Sequence, residues 1–210
     1  MDLPALITAF VTLFVIIDPI GLAPIFVALT HGMTTAERRA IALRACVIAA
    51  ALLTLFGVFG EAVLGFVGIS MPAFRIAGGM LLFLTALDML FERRTKRRED
   101  QAEEERPDPS VFPLAIPLIA GPGAIASMIL LTGQSADWRE ALAIHVVMAG
   151  VVALVFLLFL ASGILERALG RTGINVVTRL LGMLLAALAV QFVLDGLQGF
   201  GMALPSAPTG

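Results

Sequence analysis

"DPIGLAPIF", residues 18–26, places a carboxylate, two prolines and a glycine inside a segment that is otherwise apolar from Leu3 to Leu29. Proline has no N–H and its ring crowds the preceding turn, so an uninterrupted helix is not expected through this stretch. A carboxylate so deep in an apolar run needs a partner or a purpose.

The surroundings say what kind of segment this is. The chain has 210 residues, of which 59% are apolar and only 14% charged. A soluble domain of this size needs more charge on its surface. The charges are clustered and leave apolar runs of about 20 residues, the length that crosses a hydrocarbon core of about 30 Å. Six spans are predicted, over residues 4–29, 41–66, 71–91, 111–132, 142–164 and 177–199. The fold class is therefore an all-α polytopic membrane protein.

The first span is not expected to be a cleaved signal, because it begins Met-Asp, lacks a basic n-region and exceeds a signal h-region in length. Cys46 stands alone in an Ala-rich span, which excludes a disulfide framework or a Cys-based metal site. The formal charge of −2 excludes a basic footprint for nucleic acid. No cofactor is expected.

Twelve of the 14 Lys and Arg residues fall in the 1–2, 3–4 and 5–6 connections. Only Arg75 and Arg139 fall on the other side. The positive-inside rule then places both termini outside the cytoplasm. The long polar connection "ERRTKRREDQAEEERPDPS" reads as a solvated cytoplasmic linker whose basic start can touch anionic lipid heads.

The opening stretch recurs. "IPLIAGPGAI", residues 116–125, repeats the five-residue proline spacing, Pro117 to Pro122 matching Pro19 to Pro24. Arg75 and Gly78 in the third span are likewise matched by Arg179 and Gly182 in the sixth. Each half reads as a broken span, a plain span and an Arg-led span. Three crossings per half invert the second half in the membrane. The organisation is thus a first repeat over 1–91, a charged linker over 92–110, a second repeat over 111–199 and a tail over 200–210. Matching interrupted spans in inverted halves point to a transporter's binding site.

"DPIGLAPIF", "FRIAGGMLLFLTALDML" and "IPLIAGPGAI" closely resemble the MarC family of bacterial integral membrane proteins, grouped with lysine-exporter-like transporters. The resemblance covers nearly the whole chain apart from the 3–4 loop and the tail. It implies a six-helix protein of the bacterial inner membrane, with some relatives described as transporters of small neutral amino acids. The family name is no evidence of antibiotic export. Leu22 departs from the family pattern, in which that position is commonly Asn, so this stretch is less polar.

The interrupted spans suggest a chemistry. Proline at the first helical position removes an N–H that had no partner anyway, so Pro122 can open a half-helix running to Thr132. The N–H groups of Gly123, Ala124 and Ile125 would then face the break with the positive dipole end behind them. Gly121 and Gly123 would leave room for backbone to approach an anion such as a substrate carboxylate. By the repeat, Pro24 is expected to open an opposing half-helix with the N–H groups of Ile25, Phe26 and Val27. The competing reading is a pair of kinks satisfied by neighbouring helices.

Asp18 is the sharpest residue, since its counterpart in the repeat is Ile116. It is either a substrate or coupling-ion ligand beside Pro19, Gly21 and Pro24, or an N-cap taking the N–H of Ile20 or Gly21. A carboxylate opposite backbone donors suits a zwitterion, and it can equally hold a coupling proton or cation. Ser127 and Gln191 are the weaker substrate-binding candidates. Thr12 and Thr54 are expected to bond their own helices. Arg75, Asp88, Arg179 and Asp195 read as anchors near span ends, and His145 as interfacial. The nine methionines read as packing.

An enzyme is not expected, because Ser127 has no evident base and His31 and His145 form no metal motif. The expected function is transport of a small solute across the inner membrane, a small neutral amino acid or similar metabolite. A metal-ion transporter using Asp18 and Asp88, and a non-transporting scaffold, stand as alternatives. The partners are the substrate and the bilayer, no nucleic acid, with a homo-oligomer left open.

Overall fold

The computed structural model describes residues 3–91 and 108–201. Most of the linker and most of the tail lie outside the described residues. All regular structure among the described residues is helical: α1 (Leu3–Ile17), α2 (Pro19–Leu29), α3 (Thr35–Val67), α4 (Met71–Leu90), α5 (Ser110–Ile119), α6 (Pro122–Thr132), α7 (Trp138–Leu160) and α8 (Ser162–Gly199).

Local chemistry sets the ends. Thr34 and Glu37 form a reciprocal capping box at the start of α3, with Thr34 N–H donating to Glu37 Oε2 at 2.8 Å. Gly68, at φ 82°, ends that helix in the left-handed conformation that glycine adopts without steric cost. Asp137 caps α7 by accepting the Glu140 N–H at 2.9 Å. Gly170, at φ 61°, interrupts α8. The part long and apolar enough to cross a membrane runs over Thr172–Gly199. α3 and α8 are longer than the hydropathy pattern suggested and α7 is shifted four residues earlier, because all three begin in polar first turns held by caps or neighbours.

Five helices are long and apolar enough to cross a membrane, α1 and α2 counting together as one 27-residue span. The bent pair α5 and α6 makes a sixth. Side-chain contacts sort the connections onto two ends. At the N-terminal end, Met71 lies against Gly133, and Pro72 lies against Gly196 and Gly199. At the opposite end, Arg38 Nη2 donates to Ser162 Oγ at 3.2 Å, and Arg44 pairs with Asp108. With the bent pair counted as one, the bundle has six candidate spans, and the start of α1 and the end of α8 lie at the same end.

Packing follows the exchange of halves. The Arg-led helices α4 and α8 run antiparallel, Gly79 against Ala189 and Val193, Gly182 against Ala86 and Met89. A Cβ on Gly79 would meet the Ala189 carbonyl at 2.8 Å, so glycine lets the two backbones approach. α3 packs on α5, α6 and α7, while α7 packs on α1, α2 and α3, as an exchange of halves requires. Phe26 of α2 stacks on Phe159 of α7 with centroids 4.4 Å apart. The exchange is not exact. α1 packs on both α6 and α8, whereas their counterparts pack less closely, α5 on α2 and on α4.

Candidate functional site

Asp18 is the one non-glycine residue with positive φ among the described residues, at φ 57° and ψ 62°. The cause is local. A residue before proline is pushed out of the right-handed helical region, and aspartate is among the few side chains that tolerate the left-handed one. The ladder survives the step, Asp18 N–H donating to Phe14 O at 2.9 Å and Leu22 N–H to Asp18 O at 3.0 Å. Pro19 occupies the first turn of α2, and Asp18 Oδ1 accepts the Gly21 N–H at 3.1 Å. The carboxylate is fully buried. It folds so closely over Gly21 that a Cβ there would collide with Oδ2. Glycine at 21 thus makes room for the cap.

The expectation for Pro24 fails. Pro24 lies inside α2, not at the start of a half-helix, so Ile25, Phe26 and Val27 sit within a helix already opened by Pro19. The break falls one proline earlier because Asp18 can take the left-handed step and cap the new turn.

The second break is built differently. In α5 the bonds run five residues back, Leu114 N–H to Pro109 O at 3.2 Å and Ala120 N–H to Ala115 O at 2.9 Å. Phe112 and Ile116, each before a cis proline, are extended. α5 and α6 then meet at 54°. Pro122 opens α6 as the sequence suggested, with Gly121 at the cap position and no side chain to serve it. Ile125 N–H is not free, since it donates to Gly121 O at 3.0 Å. The donors left facing the break are those of Gly123 and Ala124, which meet no acceptor among the described residues. Nor is there open room beside Gly123. A Cβ there would lie 3.3 Å from both Ile16 Cγ2 and Leu82 Cδ2, so packed side chains fill the space expected for a ligand. A Cβ on Gly121 would meet the Pro117 carbonyl oxygen at 2.5 Å, so this glycine answers to the bend itself.

The contact of Ile16 with Gly123 sets a register between α1 and α6. One end of that seam is a cavity of about 490 Å³ lined by Ala5, Thr8, Leu131, Gln134, Ser135 and Glu140. Its lining joins Ala5 and Thr8 near the start of α1 to Leu131 of α6 and Gln134 just past it, as an antiparallel pair requires. Continued inward past Ile16, the register brings Asp18 level with Gly121. By that register the two breaks, 103 positions apart in the chain, fall at one depth.

The remaining candidates separate. Ser127 is fully buried in α6 with its hydroxyl unpartnered among the described residues. Gln191 is on the outer face of α8, donating to Asp195 Oδ1 at 2.6 Å, and does not line the breaks. Thr12 contradicts the expectation that it bonds its own helix, because its buried hydroxyl also has no partner there. His145 is two turns inside α7 and half-buried, its Nδ1 2.8 Å from Ala141 O. Its Nε2 lies where a Cβ of Gly57 would go, beside Met128. Sequence reasoning passed over Thr12 because nothing local separates it from a threonine that bonds back. Among the described residues, no group of three or more His, Cys, Asp or Glu side chains is placed to hold a metal ion.

Residues 3–200 match the family model described as MarC family integral membrane protein. The chain is 38% identical to the UPF0056 membrane protein YvbG of Bacillus subtilis, over 96% of this chain and 98% of that protein. It is 37% identical to the UPF0056 membrane protein MJ1677 of Methanocaldococcus jannaschii, over 95% and 98% of the two chains. It is 35% identical to the UPF0056 membrane protein YhcE of Escherichia coli, over 94% of each. No solved structure matches it.

Proposed function

The chain belongs to the MarC family of integral membrane proteins, and we propose that it carries a small solute, in particular a small neutral amino acid, across a bacterial inner membrane. The observation that carries this reading is the contact of Ile16 with Gly123, a register by which the two helix breaks fall at one depth. A buried carboxylate at Asp18 then stands level with the N-terminus of α6, where Gly123 and Ala124 present donors. That pairing of one anion with a positive helix end is complementary to a zwitterion. Asp18 is also the natural seat of a coupling proton or cation. Because Ile16 and Leu82 close the approach to Gly123, the arrangement corresponds to an occluded state that opens by moving α1 or α4 against α6.

The test is uptake of labelled glycine, alanine and serine into vesicles reconstituted with the purified protein, alongside calorimetry of each acid and its amide. The acids should bind and enter while the amides do neither, because a site built on charge-assisted hydrogen bonds loses them with a neutral group. Uptake no faster than in protein-free vesicles sinks the proposal. The orientation proposed with it has both termini outside the cytoplasm, and a reporter fused after Gly210 that reads cytoplasm overturns that.

A further inference from the structure

Four threonines in this bundle satisfy their hydroxyls on their own helices. Thr8 donates to Pro4 O at 3.0 Å, Thr30 to Phe26 O at 2.7 Å, Thr85 to Leu81 O at 3.0 Å and Thr132 to Met128 O at 2.8 Å. Thr12 and Ser127 do not, although both are fully buried. A buried hydroxyl without a partner costs about 1–3 kcal/mol, and bonding back to the preceding turn is the ordinary escape.

Their positions give the reason. On α1, Thr12 lies one turn deeper than Thr8 of the cavity wall and one turn short of Ile16. On α6, Ser127 lies one turn deeper than Leu131 and one turn short of Gly123. The antiparallel register set by the Ile16–Gly123 contact, with which the cavity lining agrees, puts Thr12 and Ser127 at the same level. That level is about 6 Å from the cavity wall and as far from the plug, at 1.5 Å per residue. The unpartnered Nε2 of His145 lies beside Met128, the next residue along α6.

We propose that Thr12 and Ser127 form a polar station on a solute path along the α1/α6 seam, between the cavity at the N-terminal end and the Ile16–Gly123 plug. Two hydroxyls, each able to donate once and accept twice, hold a small solute by its polar end without committing to its charge. The path then delivers the solute to the Asp18 break when Ile16 withdraws. This deepens the transport reading and rests on it for the identity of the solute, but not for the existence of the path.

The test is thiol labelling in a Cys46→Ala background, with single variants Thr12→Cys, Ser127→Cys and, as control, Leu130→Cys. Leu130 is equally buried but packs on Gly78 of α4. A small charged methanethiosulfonate is added separately to each side of the membrane. Thr12→Cys and Ser127→Cys should react at least about tenfold faster than Leu130→Cys, and only from the N-terminal side, because only a hydrated thiol ionises to the reactive thiolate. Millimolar alanine or serine should slow the labelling. Rates no faster than Leu130→Cys, equal access from both sides, or no protection by a solute that the vesicles do take up would each overturn the station. Fast, one-sided labelling in a protein that takes up nothing would instead sink the transport reading and leave the path standing.

Discussion

At Asp18 the chain leaves the helix for one residue and resumes within the same 27-residue span, whereas at Gly121 it turns through 54° after two wide proline turns. The first break keeps its backbone ladder and spends a charged side chain on the cap. The second has no side-chain cap and leaves two donors facing the break. The repeat supplied the same proline spacing to both, and one residue, Asp18 against Ile116, sends them apart. In the transport site proposed above, this difference supplies one charged wall and one wall of backbone donors, which two equal breaks would not provide. The same asymmetry shows in the packing, where α1 packs on α6 more closely than α5 packs on α2.

Removing the charge from the first wall should have the largest effect. Asp18→Asn keeps the capping oxygen and tolerates the left-handed conformation, yet loses the charged partner. Initial uptake should fall about tenfold or more, the scale of one hydrogen bond to a charged group, with the melting midpoint in detergent unchanged. Wild-type uptake in Asp18→Asn would reduce the carboxylate to a cap and erase the contrast between the breaks.

Stability comes next. Asp18→Ala gives up a cap of about 1 kcal/mol and holds a Cβ residue without local bonding in the left-handed region, a further cost of about 1–2 kcal/mol. Gly121→Ala should cost about 1–3 kcal/mol, because the new methyl meets the Pro117 carbonyl, a backbone atom that cannot rotate away. Gly21→Ala should cost less, about 1 kcal/mol, since it displaces only the Asp18 carboxylate and with it the cap. Chemical denaturation in mixed micelles ranks the three. If Gly21→Ala proved worse than Gly121→Ala, the first break would be the more rigid one.

The smallest effect belongs to the anchor of the second break. Hydrogen bonds from the Ser110 hydroxyl and N–H, helped by Arg44, hold the Asp108 carboxyl below the usual carboxylate range. A carboxyl depressed in the folded state contributes stability above its unfolded pKa and loses it as the pH falls through the folded value. Acidification below the ordinary carboxylate range should therefore lower the melting midpoint slightly, and less in Asp108→Asn than in wild type. The group is partly exposed, so solvent screens it and the difference is small.

Hydropathy and proline spacing were enough to read an all-α membrane protein of five or six spans and to put a helix start at Pro122. Each of these is a property of neighbouring residues, written wherever the chain is in space. The same local information left Pro19 and Pro24 equally eligible to open a helix, and the choice fell to the left-handed step and cap at Asp18. Gln191 looked as deep as Ser127 along the chain, but which face of a helix meets its neighbours depends on segments a hundred residues away. Thr12 was indistinguishable from Thr8 or Thr30 until α1 came to lie against α6 and left its hydroxyl buried without a partner. The room expected beside Gly123 was likewise a statement about glycine alone, and Ile16 and Leu82, from two other helices, occupy it. Local chemistry placed the breaks, and only the packing of distant helices decided what each break faces.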